Sequence, residues 1–335
     1  MFNKVSQAFP LRTTVVLTGA SSGIGRATAL AFAKEGANLV LAARGQQALE
    51  ELATACEALG AQTLVKSVDV SDAQALRTLV YAAITRFDGI DVWINNVGVG
   101  AVGAYDTTPM EVHRRVIESN LIGHMNGAHA VLPHFRARGR GILINMISVG
   151  GWAPSPFAAS YAASKFGLRG FSESLRAELT DLPRVQVCDV YPTFVDTPGM
   201  MHSANYTGKQ LRPPLPLLNP RKVGRAMVAL SKSPRPVTWL GSAAWPARLA
   251  HTLAPQLTAH ITAKLTSMAL IKAKPAVITD GNLFTPSIGH AVDGGYRVTA
   301  KKPGQIAVAA LTLAGMATLS LLVLRREKNY KPRKS

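Results

Sequence analysis

The chain has 335 residues, 47% of them hydrophobic and only 17% charged, against a typical charged share of about 25%, which excludes a disordered, collagenous or low-complexity protein. Its length fits one α/β core of about 250 residues with an appendage, and its 37 Lys and Arg over 19 Asp and Glu give a net charge of +18, an attraction toward nucleic acid, anionic lipid or a phosphorylated ligand. Cys56 and Cys188 stand far apart without a Cys-x-x-Cys or Cys/His spacing, so no disulfide framework and no metal site is expected, and a reducing compartment fits best.

Met1 to Arg12 mixes polar residues among its apolar ones and offers no signal-peptide core. From there to about residue 190, short apolar runs alternate with longer stretches of helical period, the pattern of a parallel sheet with crossover helices. Strands are expected at Thr14 to Leu17, Asn38 to Ala42, Leu64 to Val68, Asp91 to Asn95, Gly141 to Ile147 and Val185 to Tyr191. Helices are expected at Gly25 to Glu35, Gln46 to Leu59, Ala73 to Arg86, Met110 to Ala137 and Ala158 to Leu182.

The first strand runs into Thr18-Gly19-Ala20-Ser21-Ser22-Gly23-Ile24-Gly25 and then a helix. Glycines there turn the chain tightly and admit a pyrophosphate without a Cβ in the way, while the helix N-terminus offers free N–H groups. A dinucleotide is the natural ligand. Where the second strand ends, an acid would read a ribose 2′-hydroxyl, but Ala42-Ala43-Arg44 stand there instead. Arg44, with Arg26, suits a 2′-phosphate through charge-assisted bonds, with a plain solvated turn arginine as the alternative.

Later, Tyr161 and Lys165 fall at i and i+4 of a helical stretch, one turn apart on one face. A free phenol titrates near 10, and an adjacent ammonium favours the phenolate, so the pair is expected to trade a proton with a substrate oxygen. Ser148, ending the fifth strand, reaches the same sheet edge and can hold that oxygen.

With these motifs the chain resembles the short-chain dehydrogenase/reductase family of single-domain, Rossmann-type build. The resemblance spans about residues 12 to 240 and rests on the glycine turn, Asp69-Val70, Asn95-Asn96-Val97-Gly98, Asn120, Ser148, Tyr161 to Lys165, and Tyr191-Pro192-Thr193. It implies a catalytic tetrad of Asn120, Ser148, Tyr161 and Lys165, with Tyr161 as general acid in reduction, Ser148 polarising the carbonyl, Lys165 lowering the tyrosine pKa and bonding the nicotinamide ribose, and Asn120 holding a relay water. It further implies that NADP(H) lies on Gly19, Ser21, Ser22, Gly23, Ile24, Gly25 and Arg44, that Asp69 and Val70 flank the adenine, that Asn96 and Gly98 line the cleft, and that Pro192, Val195 and Thr197 close over the nicotinamide. Two departures stand out: Thr193 replaces the family's Gly after Pro192, which narrows the expected nicotinamide pocket, and Val97 replaces its usual Ala.

After Pro192 prolines crowd the chain, and the expected elements are a short helix near Arg221 to Ser231, a last strand at Pro236 to Leu240 and an amphipathic helix from Ala243 to Lys272 broken at Pro255. Met200, Met201 and His202 are candidates for a substrate pocket or a simple lid contact. Trp239, Trp245 and Arg248 suit either a membrane interface or a core cap. The histidines His113, His124, His129 and His134 lack the company of a metal site. Lys274 to Ala300 reads as a linker or membrane-proximal flap.

Gly304 to Leu324 is uncharged over its whole length, which in a helix matches the roughly 30 Å of bilayer hydrocarbon. Its Ala310, Ala314, Thr318 spacing would let two such helices meet, leaving homo-oligomerisation open. Basic residues flank it at Lys301 and Lys302 and from Arg325 onward, so the positive-inside rule competes with a cytoplasmic catalytic domain for the orientation. The chain thus divides into a coenzyme-binding domain over 12–240, an extension and linker over 241–303, an apolar helix over 304–324 and a basic tail over 325–335. The expectation is a membrane-associated, cytoplasm-facing NADP(H) oxidoreductase acting on a carbonyl or secondary alcohol of a small, apolar substrate. An NAD-dependent alcohol dehydrogenase and a non-catalytic NADPH-binding protein are the competing classes. No nucleic-acid-binding motif accompanies the charge.

Overall fold

A computed structural model describes residues 12–242 and 244–299. Five β-branched or aliphatic segments, buried on both faces without polar alternation, form the inner strands of a parallel sheet, as a sheet covered by helices on both sides requires. They are β1 (Thr14–Thr18), β2 (Asn38–Ala43), β4 (Val92–Asn95), β6 (Gly141–Met146) and β7 (Val185–Pro192), with β3 (Gln62–Ser67) and β9 (Val237–Leu240) at the edges. The order is β3-β2-β1-β4-β6-β7-β9, all parallel, with Val16 opposite both Val40 and Trp93. The chain steps outward from β1 in both directions, so the crevice at the C-terminal ends of β1 and β4 is the topological switch point.

One face carries α1 (Gly23–Ala33), α2 (Gln46–Glu57) and α8 (Pro220–Lys232), whose Phe32, Leu49, Leu52 and Met227 share a core with Leu17, Leu39 and Ile144. The other carries α3 (Ala73–Phe87), α5 (Gly123–Arg138) and α6 (Ala159–Glu178), where Leu76, Leu79, Phe135 and Leu175 pack on Val16, Trp93 and Leu143. Asp72 caps α3 by accepting from the Gln74 and Ala75 amides at 2.8 and 3.0 Å. The long helix expected from Met110 is α4 (Met110–Ile117) joined to α5 by a π-helical turn at Glu118–Ile122. Hydrophobic period alone does not reveal such a turn, because it inserts one residue without interrupting the apolar face. The third strand begins two residues earlier than expected, since polar Gln62 and Thr63 pair with Asn38 and Leu39 on an exposed edge.

A second, two-stranded parallel ladder joins β5 (Ala101–Val102) to β8 (Ala204–Asn205), just after the one-turn helix α7 (Gly199–His202). The break at Pro255 falls where the sequence places it, between α9 (Ala244–Leu253) and α10 (Pro255–Lys272). Trp239 stacks on Tyr191 at 4.7 Å and the Arg248 guanidinium sits 4.0 Å over Trp152, so these two cap the core while Trp245 is 58% exposed. The segment read as a linker is a strap that runs back over the C-terminal edge of the sheet to α11 (Tyr296–Thr299). The apolar run at 304–324 and the basic tail lie outside the described residues. Among the described residues no helix is long and apolar enough to cross a membrane.

Candidate active site

The glycine turn is built by contacts that leave no room for side chains. A Cβ on Gly25 would lie 2.0 Å from the Gly19 carbonyl oxygen, and one on Gly23, whose φ is +54°, would press on Thr197 at 3.1 Å. Asn96 fixes the turn from below, its Nδ2 donating to the Thr18 and Gly19 carbonyls at 3.3 and 3.0 Å while its own amide donates to Thr18 Oγ1 at 3.1 Å. The turn delivers the N-terminus of α1 into a cavity of about 1180 Å³, whose wall includes Gly19, Ser21 to Gly25, Arg44, Asp69, Val70, Asn96, Gly98, Pro192, Val195 and Thr197. A glycine cradle at a helix N-terminus fits a dinucleotide diphosphate.

Ser148, Tyr161 and Lys165 line the same cavity. Ser148 follows β6 with φ +138°, a value that L side chains rarely adopt, and accepts from the Gly150 amide at 3.1 Å. Its hydroxyl also bonds Tyr161. Lys165 is 2% exposed and donates from Nζ to the Met146 carbonyl at 3.1 Å, with Nζ 5.8 Å from the Tyr161 ring centre.

The titration of this group differs from the sequence expectation. Burial pushes Tyr161 above its ordinary phenol value, and the Ser148 bond offsets only part of this; Lys165 does not bring it down. Burial instead lowers Lys165 itself to about 7. Spacing shows that the two side chains share a helix face but not that the ammonium turns to a main-chain carbonyl. Tyr161 is therefore a protonated phenol at neutral pH, and Lys165 is the member of the pair that titrates there.

Asn120 is buried in the π turn and is the one tetrad candidate absent from the cavity wall. It accepts from the Val99 amide at 2.8 Å and donates to the Val99 carbonyl at 2.9 Å and to Ser164 Oγ at 3.2 Å. Its side chain is thus a clamp between the loop that follows β4 and α6. Both Nδ2 hydrogens are engaged, so the side chain leaves the second lone pair of Oδ1 as its remaining position for the expected relay water.

Arg44 faces the strap. Its Nη1 donates to the Leu283 carbonyl at 2.8 Å and its Nη2 to the Asn282 carbonyl. Arg115, on α4, was not legible as a site residue, yet it lines the cavity, donates from Nε to Leu283 O at 3.0 Å and from Nη1 to Ser71 Oγ at 2.9 Å, and pairs with Asp69. Burial pushes the Asp69 carboxyl up, but the Ser71 amide and Arg115 outweigh it and hold it below the usual carboxylate range. Nothing in the spacing of Asp69 and Arg115, 46 residues apart, announces this pair.

Thr193 does not simply narrow the pocket. A Cβ on Gly241, which has φ +110°, would lie 2.2 Å from Thr193 Oγ1, so the threonine side chain is accommodated by a glycine on the neighbouring strand end. His124 is buried behind the site, its Nε2 2.8 Å from the Val97 carbonyl. Burial first, and then the charge of Lys165, lower it to about 3, so it stays neutral and donates to that carbonyl.

The family model for short chain dehydrogenase matches residues 13–207. An uncharacterized oxidoreductase, YxnA, of Bacillus subtilis is 32% identical over 254 residues, 75% of this chain and 71% of its own. Dehydrogenase/reductase SDR family member 7B of Bos taurus is 36% identical over 203 residues, covering 59% of this chain and 60% of that protein. Among solved structures, an alcohol dehydrogenase of the archaeon Thermococcus sibiricus complexed with 5-hydroxy-NADP aligns with a TM-score of 0.61 at 26% identity, over 68% of this chain and 96% of that one. A metagenomic short-chain oxidoreductase in complex with NADP aligns at 0.59 with the same identity and coverage. The sheet order, the glycine turn and the Ser148, Tyr161 and Lys165 grouping agree with these matches, and the chain belongs to the short chain dehydrogenase family.

Proposed function

We propose that the chain is an NADP(H)-dependent oxidoreductase that interconverts a carbonyl and a secondary alcohol on an apolar substrate. The observation that carries this is the single cavity in which the glycine cradle, Arg44 and Asp69 share a wall with Ser148, Tyr161 and Lys165. The bound coenzyme supplies the hydride. The chain's own residues do the rest: Ser148 Oγ orients the substrate oxygen, Tyr161 donates the proton that the developing alkoxide takes up, and Lys165, titrating near neutrality, restores that proton. Asn120 acts as a positioning residue, because its clamp on Val99 and Ser164 sets the loop after β4 against the helix that carries Tyr161.

The apolar substrate is supported by the remaining wall, where Phe194, Met200, Leu211, Leu215, Leu265 and Leu270 contribute. The preference for NADP(H) over NAD(H) rests on Arg44 in place of an acid. Its two Nη groups already serve strap carbonyls, which is what favours the NAD-dependent reading as the competitor. Thermal-shift titration of the full chain separates them, since a ligand that binds only the folded state raises stability by mass action. NADPH is expected to stabilise more than NADH, and Arg44→Ala to remove the difference, about tenfold in affinity for one lost charge-assisted bond pair. Equal stabilisation by both would transfer the assignment to NAD.

Membrane association is part of the same proposal. Thr197 to Thr279 contains no Asp or Glu and eleven Lys and Arg. Within it Trp245, Leu249, Leu253, Met268 and Ile271 are exposed, ahead of the uncharged run at 304–324. Full-length protein is expected to stay with membranes through an alkaline wash, and Leu313→Arg, which costs about 2.5–3.5 kcal/mol at a span centre, to release it. Release of the unaltered chain by the wash would end the reading.

A further inference from the structure

The strap beyond α10 lies outside the segment that the family model matches, residues 13–207, yet it bonds Arg44, Arg115 and Gly23 at the nucleotide end of the cleft. It is fastened at its start by the Asn205–Thr279 bridge, 2.8 and 3.1 Å, and by the Asn282 amide donating to the His202 carbonyl at 2.8 Å. It is fastened at its finish by buried Asp196, which accepts from the Tyr296 and Arg297 amides at 2.9 and 3.2 Å and from Arg297 Nε at 3.1 Å. Arg221 adds a paired contact to Asp293 at 2.9 and 2.6 Å.

Between these fastenings the strap touches the cradle itself. The Leu283 carbonyl accepts from both Arg44 and Arg115, and the Ala291 carbonyl accepts from the Gly23 amide at 2.9 Å. Asn282, Pro286 and Ser287 line the cavity with the glycine turn and Asp69. The Leu283 side chain is fully buried, in a cluster with Val99, Val112 and Val116 against which Tyr161 packs. The arc beyond it is different: Phe284 is 47% and Ile288 95% exposed, and its side-chain ties to the body include the bond between the His202 ring and the Ile288 main chain and the His290–Glu51 pair on the surface. Such surface pairs hold weakly.

We propose that the arc from Phe284 to Ala291 is the outer wall of the coenzyme's adenosine site, hinged at the Leu283 plug and the Asp196 fastening, and that NADP(H) enters and leaves only when this arc lifts. The inference rests on the coenzyme reading above and adds a rate to it. The plug keeps Arg44 and Arg115 in place while the arc moves, so the strap sets exchange without dismantling the site. Such gating makes coenzyme release slow relative to what an open cleft allows.

A covalent lock tests this. A Cβ built on Gly45 lies 3.6 Å from the Pro286 Cβ, inside the range of about 3.5–4.5 Å that a disulfide spans, and Cys56 and Cys188 are buried. The full chain with Gly45→Cys and Pro286→Cys is loaded with NADPH, oxidised, and mixed with excess NADP in a stopped-flow instrument, following loss of nicotinamide fluorescence. The expected result is dissociation at least about tenfold slower in the oxidised protein, reversed by a thiol reductant. Equal rates before and after reduction overturn the gate while leaving the coenzyme reading intact; failure of the unaltered protein to bind NADPH overturns both. Arg297→Ala is the second variant, for use whether or not the disulfide forms: loosening the finish of the strap is expected to speed release several-fold, and an unchanged rate counts against the proposal.

Discussion

Replacing Tyr161 by Phe is expected to lower turnover by about 10²–10⁴-fold, the usual worth of a positioned proton donor, with NADPH affinity unchanged within about twofold. The ring stays in the cluster with Val99 and Val112, so the fold loses only the Ser148 bond. The phenol is the group whose proton must reach the substrate oxygen, and burial keeps it protonated at neutral pH, which suits it to donate in the reductive direction. The sign follows directly: a raised phenol pKa leaves the donor fully loaded below its folded value and empties it only as pH rises past it. Single-turnover reduction compared with fluorescence-monitored NADPH binding separates the two effects. Retained turnover would remove Tyr161 from its role, and lost coenzyme binding would make it structural.

Gly25→Ala is expected to abolish coenzyme binding. The added methyl would stand 2.0 Å from the Gly19 carbonyl and 2.8 Å from Asn96 Nδ2, and the first of these is backbone that moves only if the turn opens. Overpacking of this kind costs about 1–3 kcal/mol of stability, but its larger effect is on the cradle, because opening the turn withdraws the α1 amides from the diphosphate. Gly36→Ala is the matched control. Its φ is +71° and nothing lies within 4 Å, so it is expected to cost about 1–2 kcal/mol of strain and leave NADPH binding intact. Thermal unfolding with and without NADPH reads both terms. A Gly25→Ala protein that NADPH still stabilises normally would show that the turn is not where the diphosphate sits.

The legible part of this protein is the part written in local pattern. Val15 to Leu17, Leu39 to Leu41 and Ile142 to Ile144 announce buried parallel strands by unbroken apolar runs, and the Gly19 to Gly25 turn announces itself by glycines that no other residue can replace. Tyr161 and Lys165 are legible as a pair by helical spacing. What was hidden depends on where side chains turn after folding. Lys165 spends its ammonium on Met146, Asn120 spends both side-chain polar groups on Val99 and Ser164, and Arg44 bonds carbonyls more than two hundred residues away. The strap is the clearest case, since Asn282 to Asp293 has no period of its own and takes its course entirely from the surface it crosses. Asp196 stands between the coenzyme candidates Val195 and Thr197 with no pattern of its own, and only its burial beside Arg297 shows it as a fastening.

The strap also orders events during synthesis of the chain. Arg44 and the Leu283 carbonyl that holds it are 239 residues apart, and translation at about 5–20 residues per second separates their emergence from the ribosome by roughly 10–50 s. The inner strands and the glycine turn emerge first and can pair in that interval, leaving the nucleotide cleft roofless until the last fifth of the chain follows. The final segment therefore closes over strands and a glycine turn that have already had time to pair, and Arg44 waits through that interval for the carbonyls that hold it.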